Sequence, residues 1–160
     1  GRLGRFLIVL TLLSSGVLSE PTLTVSPWFE ESRAEYYDAL LRVSTHGDWD
    51  TFLAFFSQGL AAAATSTRHQ MLALAAAHQS LKETVRASSL RSAHALDLVD
   101  FAVANPSFTV RKVEATLGIS YGRANGLVAQ LTDIGVLDVV ETGSQPRRFA
   151  APAVLKVLLT

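Results

Sequence analysis

The chain has 160 residues, 49% of them hydrophobic and 18% charged, a balance that supports a packed core and argues against disorder. Its formal net charge is zero, so the chain as a whole lacks the basic excess that a strong, sequence-independent grip on nucleic acid requires. It has no cysteine, which excludes disulfides and cysteine-based zinc sites and suits a cytoplasmic setting.

The chain opens on glycine rather than methionine, and a longer parent protein is the expectation. Arg2 and Arg5 stand ahead of the apolar run 6–10, which imitates a signal peptide. The run is shorter than the roughly 20 apolar residues of a membrane span, and Glu20-Pro21 follows with no small-residue cleavage site. The segment therefore reads as a helix over 3–18, apolar on every side and so expected to be buried all round. Ser26-Pro27 offers a capping hydroxyl and a proline at the first helical position, with Glu30 and Glu31 near the positive end of the dipole. That pattern predicts a helix over 26–46, stopped by Gly47. Asp48 or Asp50 caps the next, over 49–86, in which Gly59 is the weak point. A further helix over 89–104 ends at Asn105-Pro106.

After residue 104 the pattern changes. Thr109 caps a short helix with Val110, Val113 and Leu117 on one face, and Gly118 makes a turn. Ser120 caps a second helix with Ala124, Leu127, Val128, Leu131 and Ile134 inward, closed by Gly135. Residues 136–141 and 148–150 flank turn residues and predict a β-hairpin. Helix, tight turn, helix, hairpin is the order of a winged helix-turn-helix. The expected fold is mainly α, with a helical domain over 1–104 and a winged helix-turn-helix over 105–160.

Candidate chemistry concentrates at the two ends. Arg2 and Arg5 share a face of a first helical turn, where cations oppose the dipole at a cost of about 0.3–1 kcal/mol each. Either they pair with carboxylates or reach solvent, or an anion joins them. Free N–H groups, two guanidinium forks and Gly1 make a phosphate site. From Asn105 onward six basic residues (Arg111, Lys112, Arg123, Arg147, Arg148, Lys156) oppose four acids (Glu114, Asp133, Asp138, Glu141), a net of +2. Arg123, Asn125 and Gln130 carry base-reading chemistry on the second helix, and Arg147 and Arg148 sit on the wing beside any phosphate. The same surface also suits packing, self-association as a homodimer, or docking of a protein. Phe52, Phe55 and Phe56 read as core. The four histidines (His46, His69, His78, His94) form no metal-ligand spacing, and no nucleophile–histidine–acid arrangement stands out.

Gly1-Arg2-Leu3-Gly4-Arg5 followed by Phe6-Leu7-Ile8 resembles the closing half of the Fic-family signature, His-Pro-Phe-x-(Asp/Glu)-Gly-Asn-Gly-Arg-x-x-Arg. The likeness extends to Gly16-Val17-Leu18-Ser19-Glu20-Pro21, to Phe29-Glu30-Glu31-Ser32-Arg33-Ala34-Glu35-Tyr36-Tyr37, and to Gly47-Asp48-Trp49 with Phe55-Phe56. A winged-helix end is similar to one common Fic architecture. The resemblance implies a Fic-type helical bundle and transfer of AMP from ATP, with Mg²⁺, to a Ser, Thr or Tyr hydroxyl of a target protein. It places Gly1, Arg2 and Arg5 at the phosphates and Tyr36 or Tyr37 against the nucleotide base. The motif's histidine base, acidic metal ligand and asparagine are absent from this chain, so it holds no catalytic residue and no metal ligand of its own. A chain lacking them should not catalyse the transfer alone. The alternative is a winged-helix transcription regulator that binds DNA through 105–160 and uses its first helices to dimerise or to sense a ligand. Neither reading involves a membrane.

Overall fold

A computed structural model of the protein describes residues 2–140 and 146–159, with the backbone only at residues 2, 3 and 5. It is mainly helical, with one small antiparallel sheet. The chain forms two compact units, residues 1–69 and 70–160.

The first unit contains α1 (Arg2–Ser14), α2 (Ser26–Glu31), α3 (Arg33–His46) and the beginning of α4 (Trp49–Ala87). Its buried centre is Leu23, Val25, Phe29 and Ala63, with Ile8, Leu12, Trp28 and Tyr36 against it. Ile8 and Leu12 are one turn apart, so a single stripe of α1 reaches this core. Phe6, Leu7 and Leu10 remain exposed, at 63%, 59% and 42%. The expected all-round burial of α1 is therefore not met, because apolar partners exist on one side only.

The predicted helix over 26–46 is two helices, broken at Ser32 (φ −91°, ψ 28°). Pro27 sits in the first turn as expected, but Val25 holds the cap position and no side chain caps the helix. The break lets Phe29 and Tyr36 meet edge to face at 5.9 Å. Seven residues of unbroken helix would separate them by about 10 Å along the axis. Gly47 ends α3 in the left-handed region (φ 67°), as its position predicts. Asp48 caps α4, accepting from the Thr51 backbone N–H at 3.1 Å and its hydroxyl at 2.7 Å. Those two bonds hold the Asp48 carboxyl below its usual pKa.

The helix α4 runs unbroken through Gly59, the expected weak point. A Cβ there would lie 2.2 Å from the Trp28 indole. The glycine is a seat for the ring, which also contacts Phe29 at 5.2 Å and Phe55 at 4.9 Å.

The second unit holds the rest of α4, then α5 (Ala95–Ala104), α6 (Val110–Leu117), α7 (Tyr121–Asp133), β1 (Asp138–Val139), β2 (Phe149–Ala150) and α8 (Pro152–Leu158). Leu98, Val99, Val113, Val128, Leu131, Val136, Leu137 and Val154 are essentially sealed from solvent in its core. The helix expected from Ser89 begins only at Ala95. The Ser88 hydroxyl donates to the Val85 carbonyl at 2.6 Å and accepts from the Leu90 N–H at 3.3 Å, which ends α4 and turns the chain. The Asn105 amide closes α5 on the Phe101 carbonyl at 2.8 Å.

Thr109 caps α6 as its position predicts, accepting from the Lys112 N–H at 3.4 Å, and Gly118 (φ 64°) closes it. Ser120 precedes α7 without a side-chain capping bond. The expected inward residues Ala124, Leu127, Val128 and Leu131 are buried, and Ile134 is half-buried. The hairpin pairs Asp138 with Ala150 and Val139 with Phe149. Phe108 adds a rung on the far side of Phe149, with bonds of 2.9 and 2.8 Å. This core crosses the boundary drawn at Asn105: Phe101 and Phe108 meet at 5.1 Å, and Leu81 and Val85 belong to the same cluster. The two compact units divide between residues 69 and 70.

Candidate nucleic-acid interface

The site assembles from the starts of two helices and the edge of the hairpin. The turn at Gly118 brings the first turn of α6 beside the first turn of α7, and β2 lies alongside through its pairing with Phe108. Between them is a cavity of about 400 Å³ lined by Thr109, Val110, Arg111, Tyr121, Asn125, Pro146, Arg147 and Phe149. Its floor is apolar because Val110 and Phe149 are core residues. Its rim is polar and cationic. The Arg111 guanidinium lies over the Tyr121 ring at 4.6 Å and pairs with Glu114 at 3.1 Å. Stacking and pairing together fix a guanidinium that would otherwise sample many rotamers.

Asn125 and Arg147, both singled out from sequence, enter this cavity from different elements. Neither side chain makes a hydrogen bond or ion pair among the described residues. Arg123 and Gln130 lie seven residues apart along the other flank of α7, exposed and likewise unpaired among the described residues. Between the flanks, Gly122, Gly126 and Ala129 follow at i, i+4 and i+7 and form the outermost strip of α7. A Cβ at Gly122 or Gly126 would touch nothing within 4 Å. Each glycine costs about 1 kcal/mol against alanine in a helix interior, and no internal packing recovers it. The strip leaves bare backbone open to close approach.

Arg148 is placed differently. Its Nε donates to the Ser107 hydroxyl at 2.8 Å and its terminal nitrogen reaches the Ser107 carbonyl at 3.4 Å. It ties β2 to the segment before α6, while Arg147 beside it points to the cavity. In the sequence Arg111 contributes only charge and Tyr121 carries no signal. Their spacing of ten residues joins them only because the intervening turn reverses the chain.

At the other end, Gly1 and the Arg2 and Arg5 side chains lie outside the described residues. The α1 backbone is helical from Arg2, which puts residues 2 and 5 on one turn. The two tyrosines separate. Tyr36 packs against Phe29, Phe52 and Phe55 with ring separations of 5.9, 6.4 and 6.3 Å. Tyr37 is exposed, with the Arg33 guanidinium 5.8 Å over its ring.

A third polar cluster lies within the second unit. Asp100 on α5 receives Lys82 Nζ at 2.6 Å and contacts His78 Nε2, both from α4. The Lys82 bond, against a smaller opposing effect of burial and with help from His78, holds the Asp100 carboxyl below its usual pKa. No group of three or more His, Asp or Glu is placed to hold a metal ion, and no helix is long and apolar enough to cross a membrane, among the described residues. No protein-family model matches the chain.

Proposed function

We propose that the chain is the C-terminal part of a Fic-type protein AMP-transferase, ending in a winged helix-turn-helix. The observation that carries this reading is the sequence Gly1-Arg2-Leu3-Gly4-Arg5, whose residues from Arg2 onward form the first turn of α1. The first N–H groups of a helix have no intrahelical partner, and a Cβ at Gly4 would meet nothing within 4 Å. That opening suits a phosphate chain, and Arg2 and Arg5 would hold it by charge-assisted hydrogen bonds. ATP, when bound, supplies the AMP group. Among the described residues no group of three or more His, Asp or Glu is placed to hold Mg²⁺; in the Fic signature the acidic ligand and the histidine base precede the part that Gly1-Arg2-Leu3-Gly4-Arg5 resembles. The contribution of this chain is to bind and orient phosphates. The test is the coding sequence ahead of Gly1. A histidine eight residues before Arg2, followed by Pro-Phe and ending in Gly-Asn, supports the reading; any other sequence there removes it.

A second reading concerns the last unit alone, and the cavity between α6, α7 and β2 favours it. With α5 as its first helix and the Phe108 rung as its first strand, this unit has the element order of a winged helix-turn-helix that docks on duplex DNA. Asn125, Arg123 and Gln130 flank the bare strip of α7, where base edges would be read, while Arg111 and Arg147 meet phosphates. A duplex titration of the full chain at two salt concentrations tests it. Binding that weakens with salt, and whose slope falls by about 0.9 in Arg147→Ala, supports it. Salt-independent retention, or none, leaves a protein-docking module.

A further inference from the structure

The first unit carries an apolar surface of which Tyr37 alone enters the first reading, as one of the two tyrosines that the resemblance sets against the nucleotide base. On α3 the core-facing residues are Tyr36, Ala39 and Val43, whereas Tyr37 and Leu41 lie one turn apart on the opposite side, 57% and 60% exposed. At the start of α4, Trp49 and Leu53 repeat the spacing, 58% and 53% exposed. The two pairs are joined by an unbroken run of ring contacts, Tyr37–Tyr36 at 5.8 Å, Tyr36–Phe52 at 6.4 Å and Phe52–Trp49 at 6.2 Å. The exposed rings are therefore backed by a continuous layer of aromatic contacts. Four large apolar side chains presented on such a backing form an interaction surface rather than scattered exposure.

The surrounding charge selects the partner. Residues 30–53 hold six carboxylates (Glu30, Glu31, Glu35, Asp38, Asp48, Asp50) and two guanidiniums (Arg33, Arg42), a net of 2 − 6 = −4. Both arginines are already engaged on this surface, Arg33 with Glu30 at 3.6 Å and Arg42 with Asp38 at 3.0 Å. Asp50 stands one turn before Leu53 and edges its stripe. A field of this sign repels nucleic acid and anionic lipid, and it opposes face-to-face pairing with an identical copy.

We propose that the outer face of α3 and the first turns of α4 docks a basic amphipathic helix of another protein, its apolar ridge on Tyr37, Leu41, Trp49 and Leu53 and its lysines or arginines among the carboxylates. The argument rests on neither the phosphate motif nor the α6–α7 cavity, so the proposal stands without either.

The probe is a synthetic amphipathic helix of about five turns with a leucine ridge flanked by Lys and Arg. Its twin carries Glu at the flanking positions. Each is titrated into the full chain in a Trp28→Phe background, with Trp49 fluorescence as the signal. The basic helix should give a saturable blue shift, and the acidic twin should bind at least 10-fold more weakly, a difference of about 1.4 kcal/mol. Leu41→Gln with Leu53→Gln should cost a further factor of about 10, and Asp50→Lys about 3, while the helical circular dichroism of the chain stays unchanged. Equal binding of the two peptides, or affinity indifferent to these substitutions, overturns the proposal. So does a Trp49 shift that appears with phosphatidylserine vesicles, with duplex DNA, or on raising protein concentration alone.

Discussion

Gly59→Ala separates two opposite expectations. In a solvent-facing helix position, the change would stabilise by about 0.8–1 kcal/mol through propensity alone. At Gly59 the new methyl would lie 2.2 and 2.4 Å from two carbons of the Trp28 ring, where contact begins near 3.5 Å. The ring must retreat. Overpacking of this kind costs about 1–3 kcal/mol. Displacing the indole from Phe29 and Phe55 forfeits about 0.5–1.5 kcal/mol per aromatic pair. Strain outweighs propensity, and the net effect is about 1–3 kcal/mol of destabilisation. At about 2–4 °C per kcal/mol for a chain of 160 residues, the melting temperature of the protein should fall by about 2–12 °C. The assay is thermal and urea unfolding followed by tryptophan fluorescence, repeated in a Trp28→Leu background. Removing the ring should abolish the penalty of the methyl, so the double-mutant cycle should show coupling above 1 kcal/mol. A Gly59→Ala protein about 1 kcal/mol more stable than wild type, with no coupling to Trp28, would refute the seating of the indole on the glycine.

Three further outcomes follow from the second unit and the first five residues. Asp100→Asn should destabilise the protein at neutral pH. The folded carboxyl titrates below its ordinary value of 3.8, so its contribution is present above that value and lost as pH falls through and below it; the melting-temperature gap between wild type and variant should close by acid pH. Arg148→Ala should lower thermal stability by releasing Ser107, whereas Arg147→Ala should leave stability unchanged and alter only DNA retention. Incubated alone with labelled ATP, the chain should show no self-labelling above a boiled control, because the base of the motif is not part of it. Labelling above the control would contradict that assignment.

Local punctuation made much of the fold legible. Gly47, Thr109, Gly118 and Gly135 all end or start elements where their chemistry predicts, because a cap is decided within a few residues. The length of α4 was readable for the same reason: Asp48 starts it and no proline interrupts it. Features set by distant partners were not readable. The break at Ser32 depends on Phe29 and Tyr36 sharing one core. The role of Gly59 depends on a ring 31 positions earlier, 59 − 28. Arg148 acts on Ser107, 41 residues away. The helix α8 escaped notice because its seven residues are too few for a periodic signal. At the cavity, residue chemistry pointed to Asn125 and Arg147, but only the turn between α6 and α7 joins them to Arg111 and Tyr121.

The most direct measurement is AMP transfer by the intact gene product, purified with whatever precedes Gly1 in the cell, using labelled ATP and a panel of protein acceptors. The account predicts transfer of label to a protein hydroxyl. It also predicts that Arg5→Ala lowers nucleotide affinity or turnover by about 10-fold or more, since a charge-assisted hydrogen bond contributes about 1.5–3 kcal/mol. Absence of transfer, or transfer indifferent to Arg5→Ala, would contradict it.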